Sequence, residues 1–321
     1  MDASQNSPEQ HPDAVYRPFG EGRPFNSATS RGFQDPLPPA HSGSVYHYTG
    51  ADGIHGILTK GCVFASHAIT MNDPLEGRYG WRIISERYGE RLARGDDRFE
   101  SEFRQMFNGT EEWSSWETPA FVLSGTSLAS DLNQYRLYGM YQVELEGGTW
   151  ALRKDPEPRD TWRTPLAQWR PVLYGREQAL PYVDRMIDWA TAIMASVDPT
   201  DFEDTGLVAA LAVQVLALHI KDVSYAHEHE LRLVFGVESS EWRDWVDVRP
   251  RGSGRLVPFL RAVTGSDQDG FVRSVELGPT VQGQANVDAV KHLHQVRYPH
   301  SRYAALMDGL AVTESEAHYR E

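Results

Sequence analysis

Cysteine is nearly missing from this chain: Cys62 stands alone among 321 residues. One thiol cannot close a disulfide within the chain or build a cysteine-based zinc knuckle. Long apolar runs are missing as well. No stretch reaches the roughly 18 apolar residues of a membrane helix, and the opening MDASQNSPEQHPD lacks the apolar centre of a signal peptide. Basic residues are outnumbered, with 31 Lys and Arg against 45 Asp and Glu and a net charge of −14. Such a field repels polyanions and disfavours bulk counterion-release binding to nucleic acid, although a local basic groove stays compatible with it. Glycine-rich phosphate loops of the dinucleotide or P-loop kind are absent. What remains is ordinary globular composition, 40% hydrophobic and 24% charged. The expectation is a cytoplasmic protein with no membrane contact that acts on a small substrate or a protein partner.

The chain divides unevenly. Residues 1–42 scatter Pro12, Pro18, Pro24, Pro36, Pro38 and Pro39 among small polar residues. That composition offers too little apolar surface to offset ordering entropy, so a mobile arm, or at most a strap over the domain, is expected. A domain over 43–300 and a polar tail over 301–321 follow. The domain should open with a strand at SVYHYT and a helix over Ala51–Leu58 that Gly61 stops. Residues 78–107 suit amphipathic helices, and 177–196, 205–220 and 286–295 suit three more. Strands are expected at Cys62–Ser66, Ala120–Ser124, Met140–Leu145 and Arg170–Tyr174. Four more are expected at Glu230–Phe235, Trp245–Val248, Arg255–Val263 and Val272–Leu277. Strands and helices without regular βαβ alternation argue for an α+β fold.

Four segments carry possible chemistry. In AHEHELRLVF, a strand period of two places Glu228, Glu230 and Arg232 on one side and His227 and His229 on the other. Paired carboxylates raise each other's proton affinity, and a neighbouring guanidinium lowers it again. The same spacing also fits a solvated strand edge with an ordinary ion pair. A His/Glu metal site lacks a third well-placed ligand in the sequence. At the end of the first strand, His47 lies between Tyr46 and Tyr48 and beside Thr49, a set suited to hydrogen bonding a sugar near an aromatic ring. Asn72 and Asp73 belong to a turn, MNDPLEG. Ser124 ends a strand, and Tyr135 and Tyr138 lie three apart on a helical turn, where aromatic stripes usually serve a core.

In order, HYT, GILTKG, MNDPLE, FVLS, QYRLYG, HEHELRLVF and VELGP resemble a bacterial family known only as a domain of unknown function. The resemblance spans about residues 44–297. It departs at Tyr135, where the family commonly has tryptophan. The opening also resembles ADP-ribosyltransferases of the toxin and antiphage kind, which implies a split β-sheet core with surrounding helices. In such enzymes a first-strand histidine, a middle aromatic residue and a glutamate entering a late strand handle NAD.

That resemblance implies catalytic roles for His47, Tyr138, Glu230 and Glu228. His47, Tyr48, Thr49, Asn72, Asp73, Ser124, Tyr135 and Arg232 would then surround bound NAD, the substrate, and no metal is implied. A carboxylate near the ribose would stabilise an oxocarbenium-like state more than the neutral sugar. The implied activity transfers ADP-ribose to a macromolecular acceptor, protein or nucleic acid. Two alternatives stay open at the same site: an NAD glycohydrolase, and an inactive module that senses a nucleotide or a protein. A metal-dependent hydrolase is a third.

Overall fold

The computed structural model describes residues 36–71, 77–95, 120–153, 163–196, 202–237, 245–251, 254–264, 271–297 and 310–317. They form a mixed α+β fold around one large sheet. Strand β1 (Val45–Thr49) leads through Gly50 into α1 (Ala51–Lys60). Ile54, Ile57 and Leu58 share the buried face of α1, and Gly61 ends it in the left-handed conformation at φ 62°. There follow β2 (Val63–His67), α2 (Arg78–Leu92), β3 (Ala120–Thr126), α3 (Leu132–Tyr138) and β4 (Tyr141–Leu145). β5 (Thr149–Leu152), β6 (Arg163–Gln168), β7 (Arg170–Pro171) and β8 (Leu173–Tyr174) precede two helices, α4 (Gly175–Ser196) and α5 (Phe202–Leu218). The chain then forms β9 (Ile220–Lys221), a 3₁₀ turn at Val223–Glu228, and β10 (Glu230–Gly236). It closes with β11 (Asp247–Arg251), β12 (Arg255–Thr264), β13 (Val272–Leu277), α6 (Gln284–Arg297) and β14 (Ala311–Glu314).

The main path through the sheet runs β14-β13-β4-β1-β3-β2-β12-β5-β6, with β10 on β3 and β11 on β12. β3 is the pivot. β10 covers one of its edges along the whole strand, from Glu230 opposite Thr126 to Gly236 opposite Ala120. The other edge is shared. β1 meets it only at Thr126, through Tyr46, whereas β2 meets it at Val122 and Phe121. Leu123, Ser124 and Gly125 lie between these contacts without a strand partner on that edge. The sheet is therefore split between β1 and β2.

Two apolar cores flank β3 and β10, which explains why β10 is buried throughout its length. Phe121, Leu123, Leu231, Leu233 and Phe235 enter one core with Ile54 and Leu58 of α1 and Val290 of α6. Ala120, Val122 and Val234 enter the other with Ile84 of α2, Met186 of α4 and Leu216 of α5. The period of two expected for 230–235 is thus the physical alternation between two cores.

Several boundaries differ from the sequence expectation. β11 begins at Asp247 rather than Trp245, because its register is set by pairing with β12, Asp247 opposite Phe259 and Arg251 opposite Arg255. Trp245 instead packs against the apolar core. β5 and β6 were not anticipated. Neither was β14, which falls in the expected polar tail and pairs parallel to β13. At the other terminus, residues 36–41 of the expected arm lie against the domain. Leu37 is buried in the helical core, Arg170 bonds the Pro38 carbonyl, and His41 N donates to Trp169 O at 2.7 Å. Residues 1–35 and the helical pattern beyond residue 95 lie outside the described residues. Among the described residues, no helix is long and apolar enough to cross a membrane.

Candidate active site

A cavity of about 820 Å³ opens over the split in the sheet. Leu123, Ser124 and Gly125, the unpartnered stretch of β3, form part of its wall. His47, Tyr138, Glu228 and Glu230 all line it, although they come from β1, α3, the 3₁₀ turn and β10.

His47 is half-buried, with Nδ1 2.9 Å from the carbonyl oxygen of Ser124. A carbonyl only accepts, so Nδ1 carries the proton and Nε2 is left as an acceptor. Burial lowers the pKa of the ring, the charge of Arg249 lowers it further, and the bond to Ser124 opposes them in part. The imidazole is neutral at pH 7. Only the split makes this contact available, because a continuous sheet would occupy the Ser124 carbonyl with a neighbouring strand.

Glu230 begins β10. Arg232 reaches it with two bonds, Nε to Oε1 at 2.7 Å and Nη2 to Oε2 at 3.0 Å. Lys221 Nζ donates to Glu230 Oε2 at 3.0 Å and to Glu228 Oε2 at 2.9 Å. Burial pushes the Glu230 carboxyl up. The Arg232 and Lys221 charges, with the hydrogen bonds from Arg232, outweigh burial and hold it well below the usual carboxylate range. A buried carboxylate is thereby kept ionised.

The segment 228–232 is not one continuous strand. His229 adopts φ 44° and ends the 3₁₀ turn, so Glu228 and Glu230 flank a left-handed residue and still reach the same lysine. Thr126 Oγ1 fixes this bend by donating to the Glu228 carbonyl at 2.8 Å, and Ser127 N donates to His229 O at 3.1 Å. A non-glycine residue in this conformation costs on the order of 1 kcal/mol and persists only where the surroundings enforce it.

Tyr138 sits at the rim, with its hydroxyl 3.4 Å from Glu228 Oε1. Burial, then the charges of Glu228 and Glu230, push its pKa up to about 12, so the phenol keeps its proton. Its position depends on Gly139, at φ 129°, where a Cβ would lie 2.4 Å from the backbone of Gly50. Only glycine lets the end of α3 cross the β1–α1 turn this closely.

Other predicted residues are distributed differently. Tyr48, Thr49 and Ser124 line the cavity, but the Tyr48 hydroxyl is engaged by Gln142 Oε1 at 2.7 Å and by Asp131 N at 2.9 Å. Tyr135 is not brought to the cavity. It is fully buried, bonds Glu276 Oε1 at 2.7 Å and meets the Tyr48 ring edge-on, because its side of α3 faces the sheet. Arg232 is also absent from the wall, fully buried behind Glu230 with its third contact on the Leu218 carbonyl. Asn72 and Asp73 lie outside the described residues. His227 and His229 are exposed, and among the described residues no group of three His, Cys, Asp or Glu could hold a metal ion.

Lys221, Phe64, Arg249 and Arg251 also line the cavity and were not singled out from the sequence. The arginines carried a usable signal, since two residues two apart on a strand share a face. Lys221 carried none, because only the pairing of β8 with β9 brings it beside β10. Comparison with family models, curated proteins and solved structures finds no match for the chain.

Proposed function

We propose that the chain is an NAD-dependent ADP-ribosyltransferase, an effector of the toxin or antiphage kind, with its active site over the sheet split. The observation that carries this reading is the shared cavity of His47, Tyr138 and the ionised Glu230, three residues drawn from distant parts of the chain. The split between β1 and β2 supports the finer assignment to an ADP-ribosyltransferase-like sheet.

The residues suit the chemistry. The bond between ribose C1′ and the nicotinamide nitrogen breaks, and its electron pair neutralises the pyridinium of the leaving group. Positive charge gathers on the ribose, where the Glu230 carboxylate attracts it more strongly than it attracts the ground-state sugar. His47 Nε2, held as an acceptor, takes a hydrogen bond from a ribose hydroxyl. The half-exposed Tyr138 ring offers a face to nicotinamide. Glu228 accepts the proton that the acceptor loses as its bond to C1′ forms.

The ion pairs favour a second reading, in which Glu230 only neutralises Arg232 and the cavity binds nucleotide without turnover. Nicotinamide release by the full chain incubated with NAD decides between the two. Release that Glu230→Gln abolishes supports the transferase reading, and its absence at every NAD concentration supports the binding module. Label from NAD appearing in macromolecule rather than in free ADP-ribose separates transfer from hydrolysis.

A further inference from the structure

We infer that Arg249 and Arg251 form an anion-binding subsite that holds the diphosphate of a nucleotide in the cavity that Glu230 also lines. The ligand class rests on the NAD reading, whereas the anion site stands on its own geometry.

The two arginines lie two apart on β11 and both line the cavity. The Arg249 guanidinium stacks over Phe64 at 5.0 Å and Phe259 at 5.7 Å from the ring centroids, and Nη2 lies 3.5 Å from Ser66 Oγ. The rings fix its plane and leave its remaining donors uncommitted. Neither Arg249 nor Arg251 forms an ion pair with any described carboxylate. Two cations two residues apart on one strand repel each other, which costs stability. Arg255 compounds the cost as the direct cross-strand partner of Arg251, since like charges opposite each other destabilise a hairpin. Burial and the charge of Arg251 both disfavour the Arg249 cation. A bound dianion would offset each of these penalties.

The charged groups on the cavity wall fall into two sets. Glu228 and Glu230 enter it with Lys221 and are balanced by Arg232 behind them, whereas β11 brings two guanidiniums that form no ion pair with a described carboxylate. Sugar hydroxyls and a developing cation suit the first. A diphosphate suits the second, because planar guanidinium forks match phosphate oxygens bidentately.

The test measures binding by calorimetry to the full chain with three probes: ADP, inorganic pyrophosphate and adenosine. ADP and pyrophosphate should bind and adenosine should bind far more weakly. Arg251→Gln, an exposed residue with no ion-pair partner among the described residues, should weaken ADP on the order of 10-fold, and Arg249→Lys, which keeps charge and stem, should weaken it by 10- to 100-fold. The Arg249→Lys melting temperature is recorded alongside, so that unfolding is not read as lost affinity. Failure of wild-type chain to bind ADP or pyrophosphate overturns the inference. So does an ADP affinity that stays at the wild-type value in both variants. Nicotinamide release is a separate readout. A chain that binds ADP through these arginines without releasing nicotinamide sinks the transferase reading and leaves the subsite intact. Turnover with an unchanged KM for NAD in both variants does the reverse.

Discussion

His47 Nδ1 lies 2.9 Å from the carbonyl oxygen of Ser124, a bond between two strands at the point where the sheet between them has parted. The backbone group left over by the split is thereby used to fix the tautomer of a cavity histidine, and its Nε2 becomes an acceptor. If that acceptor binds the substrate, the neutral ring must dominate well into mild acid. Burial and Arg249 lower its pKa below 6.5, and a group with a lowered pKa stays unprotonated until the pH falls through that lower value. The acid limb of kcat/KM for nicotinamide release should therefore lie below pH 6.5. A midpoint at or above 6.5 that disappears in His47→Asn would contradict the assignment.

Glu230→Gln tests the electrostatic role of the carboxylate. Nicotinamide release per folded molecule should fall on the order of 10²–10³. The substitution is not thermodynamically silent, however. Arg232 is fully buried and Glu230 is its carboxylate partner, so removing the charge should cost about 3 kcal/mol of stability. Rates are best measured well below the variant's melting temperature, with circular dichroism to establish the folded fraction. Full activity in the folded variant would leave Glu230 with a structural role only.

His219 supplies a pH dependence of stability that is unrelated to the cavity. It is buried at the end of α5, and burial, together with the Arg232 and Arg170 charges, lowers its pKa to about 4 despite the bond to Val215 O. The unfolded chain binds this proton below about pH 6.5 and the folded chain does not. Stability therefore falls as the pH drops from 6.5 towards 4, by about 3 kcal/mol in full. Glu230 acts in a lower window, because its depressed pKa gives stability that is lost only as the pH falls below 4.5. Urea midpoints between pH 7 and 4.5 should decline in the wild type and decline less in His219→Gln. Parallel curves would exclude His219 as the source.

Truncations locate the start of the folded unit. A chain beginning at Gly43 loses the burial of Leu37 and the bonds that tie Pro38 and His41 to Arg170 and Trp169. Burying one leucine is worth about 2 kcal/mol, so the melting temperature should drop by several degrees. A chain beginning at Pro36 should keep it. Identical melting temperatures for the two truncations would show that the 36–41 contacts contribute nothing.

The amino-acid order by itself determined whatever local periodicity controls. The α+β class, the helix over Ala51–Lys60 with its glycine stop, and the alternation of Leu231, Leu233 and Phe235 were legible because apolar spacing and turn residues act within a few positions. His47, Tyr138, Glu228 and Glu230 were legible as candidates because their residue types are suggestive wherever they lie. Only the tertiary structure decided which of them meet. Tyr135 and Tyr138 look alike three residues apart, yet packing of α3 against the sheet buries one and leaves the other at the rim. Arg232 reads as a ligand contact in sequence and becomes a buried counter-charge, since its side of β10 faces the end of α5. Lys221 enters the cavity through a strand pairing that no local pattern encodes, and the shared strand face of Arg249 and Arg251 does not say which cavity it meets. Long-range register carries no signature in single residues, because it is set by how two cores fill on opposite faces of one sheet.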